Sequence, residues 1–213
     1  MTVFFRMGRP LIDAEPVAGY ADATTHLVDL CAWAELALER GGHARRLRAA
    51  GATIAMALAD AELVALDARL AELEHWIDAR LARSRGALPM PALAELFGLD
   101  VAEQRVIQLL VAVELDGTRL RLLGEPPALA LDLATLYATL AWPGRGEAEW
   151  LAAVAGPLAR SWREGLIATE EVPGLGMSRR PLTLARPVLA WLSGLAVQDD
   201  GVAAVRRALG PGR

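Results

Sequence analysis

The chain has 213 residues, 54% hydrophobic and 23% charged, with a mean hydropathy of +0.30, which excludes intrinsic disorder and suits one medium domain or two small ones. All 22 basic residues are arginine, so neither a P-loop lysine nor a Schiff-base amine can be built from them. The formal net charge of −4 argues against a general polyanion binder, while 42 alanines and 37 leucines favour helix over strand.

Residues 1–20 show no period and read as an irregular lead-in. From Asp22, Leu27, Leu30, Cys31, Ala34 and Leu38 recur at helical spacing, and Gly41-Gly42 is expected to stop the run. A second long helix is expected over about 44–83. Its stripe of Leu63, Leu66, Leu70, Leu73, Ile77 and Leu81 alternates threes and fours, with Glu62, Asp67, Arg69, Glu72, Asp78 and Arg80 off it. The stripe fits an antiparallel hairpin that buries its own seam. An intermolecular coiled coil is the rival, and its heptads are few.

Pro91 suits a first helical turn, Ala92–Phe97 a short helix, and Gly98 its stop. Asp100 and Glu103 then have capping-box spacing ahead of an apolar face formed by Val106, Ile107, Leu109, Leu110 and Val113. Asp116-Gly117 ends this helix. A short helix, a glycine turn and a capped longer helix form a helix-turn-helix outline. Helices are further expected over 128–140 and 147–163. Two short strands, 166–169 and 181–184, would make a wing, followed by a helix over 186–194 and a linker-like tail from 196.

Three stretches in this order resemble a known family. They are Leu93–Gln104 with the Glu-Leu-Asp that ends at Asp116, then Gly165–Ile167, then Pro181–Gly194. Together they are similar to the variant winged-helix region that precedes the AAA+ motor in ATPases encoded with extracellular, phage-tail-like contractile injection systems. The resemblance covers about 87–194. It implies a bacterial protein whose ATP and Mg²⁺ would bind in a motor beyond this chain, while the lone Cys31 and the want of a signal-peptide run or membrane-length stretch read as cytoplasmic. No catalytic residue carries over, because the lysine of the motor's phosphate loop has no counterpart here. We favour an N-terminal fragment of such an ATPase over a motorless relative.

The candidate sites are sparse. His26, His43 and His75 have no metal-ligand spacing, and the lone Cys31 excludes an internal disulfide. No catalytic, cofactor or metal residue is assigned. Residues 51–150 hold 8 arginines against 15 acids, a local −7, whereas residues 151–213 hold 8 against 5, a local +3. That positive end includes Arg179, Arg180 and Arg186, which with Trp76 are the candidate partner contacts. A DNA-reading second helix would present Glu103, Gln104, Arg105, Gln108 and Glu114, an acidic-leaning surface that argues against nucleic acid. No stretch is long enough to span a membrane.

The expected fold is therefore mainly α: a helical hairpin (21–86) packed on a winged-helix domain (87–195), with a tail (196–213) leading toward a motor. The expected role is a non-catalytic, protein-contacting adaptor. A winged-helix DNA-binding regulator is the alternative, and a small helical enzyme is disfavoured by the poor inventory of nucleophiles.

Overall fold

The structure is a computed structural model that describes residues 17–125, 128–194 and 205. Helix α1 spans Ala23–Ala49 and is capped by Asp22, whose carboxylate accepts from the Thr25 N–H at 2.7 Å. It passes straight through Gly41-Gly42, against the sequence expectation. Both glycines lie on its buried face. A Cβ on Gly41 would stand 2.3 Å from Thr139 Oγ1, and one on Gly42 would stand 2.3 Å from the Leu122 carbonyl oxygen. Glycine is there for close approach of two backbones, not for a stop.

The chain turns instead at Gly51, whose φ is 77°. It then forms α2 (Ile54–Leu58) and α3 (Ala61–Leu81), the latter capped by Asp60. The helix expected over 44–83 is thus divided between the end of α1 and α3. Contacts between α1 and α3 run in opposite senses along the two helices: Asp29 with Arg80, Trp33 with Glu74, Arg40 with Asp67, His43 with Asp60. This is the antiparallel hairpin. Leu63, Leu66 and Ile77 are buried in its seam, while Leu70, Leu73 and Leu81 are half-buried against the core.

Helix α4 (Pro89–Phe97) ends at Gly98 in the left-handed region, and α5 (Val101–Leu115) begins with the full capping box. Asp100 accepts from the Glu103 N–H at 2.8 Å, and Glu103 accepts from the Asp100 N–H at 3.2 Å. A 3₁₀ segment, Gly117–Leu123, follows and packs on α1. Helix α6 is shorter than expected, Leu133–Leu140, because Asp132 caps it. The single helix expected over 147–163 is two, α7 (Glu147–Ala155) and α8 (Arg160–Arg163). Between them Pro157 lacks an amide hydrogen and pushes Gly156 out of the helical region, to ψ 173°.

Strands β1 (Ile167–Thr169) and β2 (Leu182–Leu184) pair antiparallel, with Ile167 opposite Leu184 and Thr169 opposite Leu182. The Leu182 N–H also donates to the Leu131 carbonyl at 2.8 Å, so the segment before α6 extends the ladder on the other side of β2. Helix α9 spans Arg186–Leu192. The expected linker from 196 lies outside the described residues except for Val205, which is helical and buried. One continuous apolar core takes residues from α1, α3, α4, α5, α6, α7, both strands and α9. The architecture is mainly helical with a two-stranded wing, as the sequence predicts.

Candidate functional site

A DNA-reading surface needs a helix with free polar side chains beside a cationic wing. Helix α5 does not provide one. It is central, with Val106, Ile107, Leu109, Leu110, Val111 and Ala112 buried among α1, the 3₁₀ segment, β2 and α7.

The polar side chains that the sequence places outward on α5 are mostly engaged within the molecule. Glu103 is 3% exposed and accepts from the Ser161 N–H at 2.7 Å and the Ser161 hydroxyl at 2.8 Å. Arg105 lies 4.5 Å over the Trp33 ring, pairs with Glu74 at 2.8 Å, and donates to the buried Gln108. Gln104 donates to the Leu99 carbonyl, and Glu114 accepts from the Leu184 N–H at 2.6 Å. The sequence reading credited α5 with one covered face. The fold covers several, and the buried polar groups are partnered: Glu103 by Ser161 of α8, and Gln108 by Arg105 of α5 itself.

The helices directly before the wing are α7 and α8. Along α7 the exposed residues are Glu147, Ala148, Glu149 and Ala152, an acidic and apolar surface.

In the wing, Arg179 stands 3.7 Å from the α6 cap Asp132, with its side chain two-thirds exposed. Arg180 pairs with Glu171 at 3.6 Å and donates to the Leu175 carbonyl at 3.4 Å. Arg186 opens α9, exposed and without an ion pair among the described residues. Trp76 sits half-buried on α3 with the Arg80 guanidinium 6.0 Å from its ring centroid. Arg80 itself lies 4.1 Å over Tyr20 and pairs with Asp29 at 2.7 Å. Among the described residues no hydrogen bond or ion pair joins Trp76 to the three arginines.

Sequence reasoning missed Arg40, the most heavily used cation in the fold. It is buried on α1, pairs with Asp67, and donates to the carbonyls of Ala138, Thr139 and Trp142 at 3.3, 3.0 and 2.9 Å. These carbonyls lie at the C-terminal end of α6, where helical acceptors lack partners and positive charge is favoured. Its only signal in the sequence is an arginine beside Gly41-Gly42, which the expected helix stop obscured.

A narrow cleft between α1, α4, α5 and α9 is lined by His26, Cys31, Met90, Gln108 and Leu192, among others. Burial pulls the His26 imidazole down to about 4 and pushes the Cys31 thiol up. Both groups are held neutral, the opposite of an activated thiolate–imidazolium pair. Among the described residues no cluster of three or more His, Cys, Asp or Glu could hold a metal ion, and no helix is long and apolar enough to cross a membrane.

Comparison with curated proteins and with solved structures gives no match. A family model described as "Winged helix domain, variant" matches residues 10–205, through the hairpin as well as the wing. The match covers most of the chain, which therefore belongs to the variant winged helix domain family.

Proposed function

We propose that the chain is a non-catalytic adaptor that contacts proteins, serving as the N-terminal domain of an AAA+ ATPase of a contractile injection system. One observation carries the protein-contact reading. The surface of the wing is charge-balanced: Arg179 stands 3.7 Å from Asp132 and Arg180 stands 3.6 Å from Glu171. The wing from 170 to 180 holds two glutamates and two arginines, so it sums to zero. DNA affinity grows with the number of phosphates neutralised, and a wing whose charges sum to zero gains little from them. The parent ATPase rests on the resemblance of 93–116, 165–167 and 181–194 to that family's region.

The second reading, a DNA-binding regulator, is favoured by Arg160, Arg163 and Arg186, which are exposed near the positive end of the chain. A mobility-shift titration with mixed duplex at about 50 mM salt separates the two readings. The adaptor reading expects no shift at micromolar protein. Sub-micromolar binding that disappears on reversing Arg160, Arg163 and Arg186 makes the regulator reading the correct one. Following the reading frame past Arg213 tests the parent: an in-frame phosphate-binding loop supports it, and a stop codon removes it.

A further inference from the structure

The tip of the α1–α3 hairpin exposes a run of apolar side chains. From Ala49 to Ala59 there is no charged residue. Along α2 only Ala57 faces the core. Ile54, Met56, Leu58 and, on the first turns of α3, Val64 are each between 52 and 61% exposed. Together these residues leave on the order of 450 Å² in water, main chain included, within the ~300–600 Å² of the largest patch on a monomer, which is often functional. The exposed Ala55, Ala59, Ala61 and Ala65 extend it with small side chains.

We propose that this tip is the contact surface for a second copy of the same chain, docked tip to tip about a two-fold axis. Two observations select that occupant. The first is area. A standard interface takes about 800 Å² from each partner, of which roughly 57% is apolar, or about 450 Å². The patch is of that order, and the polar rim supplies the remainder.

The second is charge. Arg46 flanks the patch on the α1 side and Glu62 flanks it on the α3 side, whereas Arg48 is engaged by Glu147 at 3.4 Å and Asp60 by His43 at 2.7 Å. A two-fold axis through α2 places the basic flank of each copy on the acidic flank of the other, the self-complementarity that an isologous contact needs. Within one copy Arg46 reaches Glu62 only at 3.5 Å, with both side chains more than half exposed, so this pair is weak and free to exchange. The hairpin tip is remote in sequence from the wing, and the inference stands independently of the proposed function.

Sedimentation velocity of the full chain from about 1 to 500 µM, a range suited to an interface of this size, is the test. The expected result is a concentration-dependent monomer–dimer equilibrium. Met56→Asp, and separately Ile54→Ser, should raise the dissociation constant at least about tenfold with no fall in melting temperature, because neither side chain is in the core. Glu62→Arg should weaken the dimer similarly, and adding Arg46→Glu to it should restore association, which a merely hydrophobic contact would not show. A chain that stays monomeric over the whole range overturns the proposal. So does a dimer indifferent to both Met56→Asp and Ile54→Ser.

Discussion

Glu103 shows how much one side chain can join. It closes the cap of α5 and, through the same carboxylate, receives the N–H and hydroxyl of Ser161 at the start of α8. Replacing it with alanine would leave two buried donors unsatisfied, so Glu103→Ala should cost about 2–4 kcal/mol in urea unfolding. Glu103→Gln keeps an acceptor oxygen and should cost less. His26 makes a pH prediction. It is buried against Tyr20, ring centroids 4.7 Å apart, and burial holds its folded value at about 4, below the ordinary 6.5. The unfolded chain therefore binds the proton more readily. The stabilising contribution is complete above about pH 6.5 and is lost as pH falls from there towards 4, for a total of about 2–3 kcal/mol. The carboxyls of Asp22, Asp60 and Asp116 are held below their ordinary 3.8, so their losses come at more acidic pH. Unfolding curves between pH 4 and 6.5 should show the slope in the natural protein and a flatter one in His26→Gln. Equal slopes would mean that other groups govern that window.

At the scale of elements, the glycines of α1 give the sharpest prediction. Alanine is favoured over glycine by about 1 kcal/mol in a helix, so propensity alone would make Gly42→Ala stabilising. The Leu122 carbonyl at 2.3 Å from the new Cβ decides otherwise, because backbone cannot rotate away. Overpacking of this kind costs about 1–3 kcal/mol, so a net loss of about 1–2 kcal/mol is expected. Gly41→Ala should cost a similar amount, since the buried Thr139 stands 2.3 Å away at Oγ1, 3.0 Å at Cβ and 3.1 Å at Cα, and its hydroxyl is held by the Thr135 carbonyl. In the hairpin seam, Leu63→Ala should cost about 2–5 kcal/mol and the half-buried Leu70→Ala less. Equal losses would place both in the same environment. These cases mark what the sequence discloses. The capping box at Asp100–Glu103, the stop at Gly98 and the wing strands are local chemistry and are legible. Gly41-Gly42 reads as a stop by the same local rules, and only the backbone of Leu122 across the fold shows why it is not one. The break at Pro157 was legible in principle from proline geometry, and the alanine-rich flanks concealed it.

For the whole molecule, the distribution of burial governs both the candidate site and the unit of folding. The positive end of the chain is visible in the sequence, but the pairing of Arg179 with Asp132 needs the wing laid against α6. The outward set assigned to α5 turned inward because amphipathic periodicity reports one covered face and says nothing of a second. The same burial predicts how the protein unfolds. Helix α1 packs on α5, α6 and the 3₁₀ segment as well as on α3, and Arg40 holds the end of α6 from within α1. The hairpin is thus not an appendage to the wing-bearing half. A fragment beginning at 87 would expose the α5 surface that α1 covers and would leave the α6 carbonyls without their cation. Each lost apolar contact and each unpaired acceptor acts against a net stability of about 5–15 kcal/mol for a whole domain. The full chain should therefore melt in one transition, with calorimetric and van't Hoff enthalpies in agreement, and the fragment 87–213 should give no cooperative transition of its own. Two separated transitions, or a fragment that melts cooperatively near the temperature of the whole, would show instead that the hairpin and the wing-bearing half fold as independent domains.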